Sequence, residues 1–313
     1  MNEKNVDTDV IIIGAGPAGL SAAVWCVELG LEALVFEKEA ETGGQLLSIF
    51  NPVTNYIGIE TANGRELRDQ FLRTFEKRGL AARLSNKITE IDPEAKSIVT
   101  AAGDRYTARA LIIATGVRRR RLNVPGEDVF KDKGIIESGS NDKLKVKGKT
   151  ALIVGGGDAA LENALILAEF ATKVFVVNRR SDLKARPEFT RRAFDNPKIE
   201  FRLETVVNSI KGGSEVETVE LADAKTGETE QLAVNIVLTR IGVQPNTELL
   251  QDKLAMDARD YIITNTNCET NVAAVYAVGD AANPVAPTIS TAAGAGTAAI
   301  KAIFSSLRDA KAV

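Results

Sequence analysis

The chain has 313 residues, room for about two domains, with 44% hydrophobic and 26% charged residues and a formal net charge of −3. This excludes disordered and collagen-like classes, and gives no global drive toward nucleic acid or an anionic membrane. There is no histidine and there are only two cysteines, Cys26 and Cys268, which excludes Ser-His or Cys-His catalysis, His-ligated metals, CxxC pairs and four-Cys iron–sulfur sites.

A catalyst of this composition borrows its reactive group from an organic cofactor, and no metal is expected. Residues 1–8 are polar and lack the apolar core of a signal peptide. No apolar run approaches the ~20 residues of a membrane helix, so a cytoplasmic protein free of membrane is expected. Residues 9–13 (DVIII) read as a buried parallel strand, followed by Gly14-Ala15-Gly16-Pro17-Ala18-Gly19 and a helix over 20–29. Residues 33–36 form a second strand, closed by Glu37 and Lys38. Leu67, Phe71 and Phe75 give residues 64–78 a helical spacing, and residues 110–114 read as a buried strand ending in Thr115-Gly116.

The pattern then restarts. A strand over 150–154 precedes Gly155-Gly156-Gly157-Asp158-Ala159-Ala160, a helix over 161–170 and a strand over 173–177 that runs into Asn178-Arg179-Arg180. Residues 201–203, 216–221 and 235–239 read as further strands. The two glycine turns lie about 140 residues apart, the period of a duplicated domain type. Past Pro245-Asn246 come residues 261–264, then 275–278 with Gly279-Asp280, and a last helix over 291–307. A strand this late can complete the first sheet, which makes the second unit an insertion.

Gly14-x-Gly16-x-x-Gly19 follows a strand, opens a helix and is answered by an acid, Glu37. Gly14 permits the tight turn, Gly16 lets backbone approach a pyrophosphate, and Gly19 lets helix and strand pack closely. The helix N-terminus offers free N–H groups, and Glu37 can accept from ribose hydroxyls. The second fingerprint is Gly155-x-Gly157-x-x-Ala160, and its second strand ends in Asn178, Arg179 and Arg180, with Arg186 beyond. Those cations suit a ribose 2′-phosphate, hence NADPH; the alternative is a solvated basic turn. Gly279-Asp280 offers a carboxylate for a ribityl hydroxyl, and the small residues Ala292, Ala293, Gly294 and Gly296 let a helix approach a flavin edge. The plainer reading of Asp280 is a cap.

These motifs, with Gly43-Gly44-Gln45-Leu46, Ala114-Thr115-Gly116 and Ile241-Gly242-x-x-Pro245-Asn246, resemble the low-molecular-weight thioredoxin reductase family along essentially the whole chain. The resemblance implies an α/β fold of two Rossmann-like domains, the NADP-binding one (residues 118–245) inserted in an FAD-binding one (1–117 and 246–313). It implies a homodimer whose domains rotate between two half-reactions. It assigns FAD to Gly14, Gly16, Pro17, Ala18, Gly19, Glu37, Lys38, Gly44, Gln45, Leu46, Asn55, Ala114, Thr115, Gly116, Gly279, Asp280 and Ala292. It assigns NADPH to Gly155, Gly157, Asp158, Ala160, Asn178, Arg179, Arg180 and Arg186.

One departure matters. The family's CxxC dithiol precedes the second glycine turn, and here its place holds Ser138-Gly139-Ser140-Asn141. Cys26 sits inside the first helix pattern and reads as a core thiol, and Cys268 has no partner in sequence. Members of this fold without the dithiol include ferredoxin–NADP reductases, which stack an aromatic on the flavin; Phe50, with Tyr56 near it, holds that place, a core role being the alternative. Those reductases also carry a C-terminal aromatic cap, expected to be absent here because the chain stops at Val313. Bacillithiol-disulfide reductases carry a Cys in the first glycine turn, where this chain has Ala18.

Arg118, Arg119, Arg120 and Arg121 form a run that reads either as a solvated face or as a dock for an acidic redox partner. The expectation is an FAD-dependent NADPH oxidoreductase that passes electrons to ferredoxin or flavodoxin, with no side-chain acid, base or nucleophile identified. The alternatives are flavin acting directly on a partner's disulfide, and a non-enzymatic flavin-binding regulator.

Overall fold

The computed structural model describes residues 7–309. Along the chain, β1 (Thr8–Ile13), α1 (Pro17–Glu28), β2 (Ala33–Phe36), α2 (Gly64–Glu76), β3 (Ala82–Arg83), β4 (Ile88–Asp92), β5 (Ser97–Thr100), β6 (Arg105–Ile113) and β7 (Val117–Arg119) come first. Then follow β8 (Ile135–Ile136), a short helical turn α3 (Gly139–Asp142), β9 (Thr150–Val154), α4 (Asp158–Ala168), β10 (Lys173–Asn178), α5 (Pro187–Phe194) and β11 (Ile199–Leu203). β12 (Thr205–Lys211), β13 (Thr218–Asp223), β14 (Thr229–Ala233), β15 (Ile236–Thr239), β16 (Val243–Pro245), β17 (Val275–Ala277) and α6 (Ile289–Asp309) complete the order.

By internal contacts the chain divides into two compact units. One runs up to Arg118 and resumes at Gln244; the other is Arg119–Val243. In the first, β3-β2-β1-β6 continue into β5 and β4, and β17 also pairs with β6. β17 runs parallel to β6 in the register Val275↔Leu111, so the late strand does complete the first sheet. In the second, five parallel strands lie in the order β11-β10-β9-β15-β8, beside an antiparallel sheet β12-β13-β14.

Alternation along the central strands explains both cores. Successive side chains of a strand point to opposite faces. Val10 and Ile12 of β1 join the cluster formed with α1 and α6, and Ile11 and Ile13 join the cluster on the other face with β4 and β5. In the second unit Ala151 and Ile153 of β9 face α4, and Leu152 and Val154 face the antiparallel sheet. Such strands are buried on both sides, which is why they read as unbroken apolar runs.

Both fingerprint helices start three residues earlier than hydrophobic spacing alone predicts. In α1 the first residue is Pro17, whose fixed φ suits that position. β6 starts five residues before its apolar run, because residues 105–107 pair antiparallel with β5 and are not buried. Within residues 261–264, Ile262 makes an isolated bridge to Met256.

Candidate functional site

In the first unit the glycine turn is fixed by contacts only glycine allows. Gly14 has φ +109°, and a Cβ there would lie 2.3 Å from the Ala114 carbonyl oxygen. At Gly19 a Cβ would lie 1.9 Å from the Gly14 carbonyl oxygen. Gly16 differs: its nearest neighbour would be Gly44 Cα at 3.9 Å, which leaves a cradle between the two glycines. The Gly43 N–H donates to the Ala15 carbonyl at 2.8 Å and holds the second glycine pair across from the turn. No side chain caps α1 at Gly16, so its first-turn N–H groups are available to an anion.

Glu37 is buried at the end of β2. Its Oε2 accepts from the Ala15 N–H at 2.8 Å and its Oε1 from the Glu39 N–H at 3.0 Å. The carboxylate therefore locks the turn and keeps further lone pairs for ribose hydroxyls. Lys38 is exposed beside Glu39 at 3.5 Å. Asn86, absent from the sequence reading, donates its N–H to the Glu37 carbonyl, and its buried Oδ1 has no partner. No periodicity or motif marks it.

At the other end of the cradle, the Thr115 and Gly116 carbonyls accept from Asn246 Nδ2 (2.8 Å) and N–H (2.9 Å). Thr115 Oγ1 is buried without a partner. Asp280 is half-buried and makes no side-chain hydrogen bond among the described residues, and burial raises its pKa. A Cβ at Gly279 would sit 3.0 Å from Ala18 Cβ and 3.6 Å from Ala292 Cβ. Ser21 Oγ donates to the Ala293 carbonyl at 2.8 Å, joining α1 to α6. A cradle of dinucleotide shape, two orphaned polar atoms and an unpartnered carboxylate fit FAD.

Not every expected contact is of that kind. Leu46 is a core residue, packed with Val53 and Leu67. Gln45 Nε2 donates to the Val117 carbonyl at 2.8 Å. Phe50 is 43% exposed and lies in none of the core clusters, which overturns its core reading. Asn55 is exposed and makes no side-chain hydrogen bond among the described residues.

The second unit repeats the plan. Gly155 has φ +138°, with its Cβ direction closed by the Arg240 carbonyl at 2.1 Å. Gly157 faces open space, and no side chain caps α4 there. Asn178 Nδ2 donates to the Arg180 (3.0 Å) and Asp182 (2.8 Å) carbonyls and shapes the turn that presents Arg179 and Arg180. Both guanidiniums are exposed and have no partner among the described residues, which fits a 2′-phosphate. Arg186 also has a partner within the turn. Its N–H (2.7 Å) and Nε (2.9 Å) donate to the Asp158 carboxylate, so it straps the turn to the start of α4.

The place of the family's dithiol is a capped turn. Ser138 is the N-cap of α3, and its N–H donates to Asp142 Oδ2 at 3.1 Å. The Gly139 N–H donates to Asn163 Oδ1 at 2.8 Å. Burial acts to raise the pKa of Asp142, but Lys145 at 2.8 Å and the Ser138 N–H hold it below the usual value. Asp142 is thus an anchored carboxylate, not a proton donor. Cys26 and Cys268 are free, and burial pushes the Cys26 thiol up to about 12 and raises that of Cys268.

The arginine run is tied down residue by residue, and two of its four cations have an acid partner. Arg118 pairs with Glu248 and donates to Asn246 Oδ1; Arg119 donates to the Glu137 carbonyl. Arg120 Nε donates to the Val243 carbonyl, and Arg121 pairs with Asp128 and Glu127. Among the described residues no three metal ligands cluster, and no helix is long and apolar enough to cross a membrane.

A protein-family model described as pyridine nucleotide-disulphide oxidoreductase matches residues 8–299. Thioredoxin reductase of Bacillus subtilis (strain 168) is 35% identical over 304 residues, covering 97% of this chain and 95% of that protein. Thioredoxin reductase of Streptomyces clavuligerus is 34% identical over 295 residues, covering 93% and 91%. The crystal structure of Lactococcus lactis thioredoxin reductase matches with a TM-score of 0.82 at 31% identity, covering 96% of this chain and 98% of that one.

Proposed function

The chain belongs to the pyridine nucleotide-disulphide oxidoreductase family and is an FAD-containing, NADPH-using oxidoreductase; from that premise we propose that its electrons pass from the flavin directly to a disulfide carried by another molecule. The chemistry supplied by the bound cofactors is hydride transfer from nicotinamide to flavin, then release of two electrons. NADPH and one proton thereby convert an external disulfide to two thiols.

The observation that makes the transfer direct is the turn at Ser138. Where an internal dithiol would relay electrons, a serine hydroxyl closes a helix cap. The names of the three relatives favour a disulfide acceptor, and the expectation of ferredoxin or flavodoxin gains nothing from them. Of the arginine run, Arg118 and Arg121 are neutralised by Glu248 and Asp128, which weakens the case for an acidic carrier.

The roles of the residues follow. Glu37 fixes the first turn and is aimed at ribose; the uncapped end of α1 takes the FAD pyrophosphate and that of α4 the adenosine-side phosphate of NADPH; Asp280 takes a ribityl hydroxyl; Arg179 and Arg180 take the 2′-phosphate. A homodimer and a cytoplasmic setting belong to the same proposal.

The test is a double-mixing experiment. Enzyme reduced by NADPH without air is mixed with oxidised thioredoxin, small disulfides, ferredoxin or flavodoxin, and flavin absorbance is followed. Reoxidation by a disulfide supports the proposal; reoxidation by the one-electron carriers alone overturns it.

A further inference from the structure

At the carboxyl edge of the second unit's sheet, two guanidiniums converge on one carbonyl. Arg240, just past β15, donates from Nη2 to the Glu137 oxygen at 2.7 Å and from Nη1 to the Thr239 oxygen at 2.9 Å. Arg119 donates from Nη1 to the same Glu137 oxygen. Neither has a carboxylate within ion-pair distance among the described residues; the acids whose charge acts on Arg240 are Glu137, Asp142 and Glu162, and Asp142 already pairs with Lys145.

Arg240 is partly buried, and its pKa is pushed down to about 10, by burial first and by Arg119 second. Two cations side by side, one of them desolvated, cost stability unless an anion completes the group. Most of their N–H donors remain unused, since each guanidinium carries five.

Position narrows the choice of anion. In the order β11-β10-β9-β15-β8, the turn bearing Arg179 and Arg180 lies at the β10 end, and Arg240 lies on the opposite side of β9. The Arg240 backbone closes Gly155, and the carbonyl it shares with Arg119 directly precedes the Ser138 cap. Ligands of doubly wound sheets sit outside these carboxyl ends.

We infer that Arg119 and Arg240 form an oxyanion site beside the turn that replaces the dithiol, distinct from the 2′-phosphate turn. Its occupant is a phosphate-type group, either the nicotinamide-side phosphate of the dinucleotide or an anion borne by the acceptor. The inference rests on the proposal that this unit binds NADPH.

The experiment measures binding to the FAD-loaded enzyme by calorimetry, with 2′,5′-ADP, NADP+ and inorganic pyrophosphate as probes. Binding of 2′,5′-ADP tests the underlying reading on its own. With 2′,5′-ADP saturating, pyrophosphate binds the wild type, and Arg240→Gln or Arg119→Gln weakens it at least tenfold while 2′,5′-ADP affinity stays within twofold. Arg240→Lys restores part of the loss. If NADP+ affinity falls as well, the phosphate is the dinucleotide's; if NADP+ is unaffected and pyrophosphate still binds the NADP+-loaded enzyme, it is the acceptor's. Arg119 is exposed, so its variant serves if Arg240→Gln does not fold. No pyrophosphate binding by the wild type, or binding indifferent to both substitutions, overturns the inference.

Discussion

Asn141 donates its backbone N–H to Ser138 Oγ at 3.2 Å, and that bond caps α3. An N-cap serine contributes about 1 kcal/mol relative to alanine. Ser138→Ala should lower stability by about that amount in a denaturant titration. The rate of flavin reduction by NADPH should not change. A tenfold slower reduction at unchanged stability would place Ser138 in the reaction.

Arg179 and Arg180 stand free, and Arg186 is held by Asp158. A charge-assisted contact to a 2′-phosphate contributes about 1.5–3 kcal/mol. Replacing Arg179 and Arg180 by Ala should raise KM for NADPH by about tenfold or more and leave that for NADH nearly unchanged. Arg186→Ala should affect both nucleotides alike, because it loosens the turn. Steady-state kinetics with each nucleotide separates the two roles.

Burial raises the Asp280 pKa above its unfolded value. The folded apoprotein holds that proton more tightly than the unfolded chain does, so stability falls as pH rises through the window between the two values. Asp280→Asn should make the apoprotein melt higher at pH 7. The difference should close below about pH 4, where both side chains are neutral. FAD affinity should fall in the same variant. An unchanged melting temperature at pH 7 would mean that the carboxylate already has a partner.

The Cys26 thiol, pushed up to about 12, stays protonated at ordinary pH and is buried. Thiol reagents react through the thiolate. At pH 8 the native protein should therefore leave Cys26 unlabelled until denaturant is added. The Cys26→Ser, Cys268→Ser double variant should keep its rate of flavin reduction by NADPH.

Much of this was legible in the sequence, for physical reasons. A glycine forced by a carbonyl 2.3 Å from its Cβ direction, as at Gly14, leaves a mark no other residue can imitate. Central strands buried on both faces spell themselves as apolar runs, as DVIII does from Asp9. The side-chain partners were not legible. Nothing in the spacing says that Asp158 occupies Arg186, or that residues 118–121 are tied to Glu248, Glu137, Val243 and Asp128. Asn86 escaped because an orphaned acceptor exists only once the chain has folded around it. Phe50 read equally well as a core residue or as an aromatic stacked on the flavin, and only its exposure decides against the core.

The central claim is that flavin is the chain's only electron store. An anaerobic dithionite titration, with thiols counted before and after, tests it most directly. Two electrons taken up per FAD, with an unchanged thiol count, is the predicted result. Uptake of four electrons, with two new thiols, would contradict it.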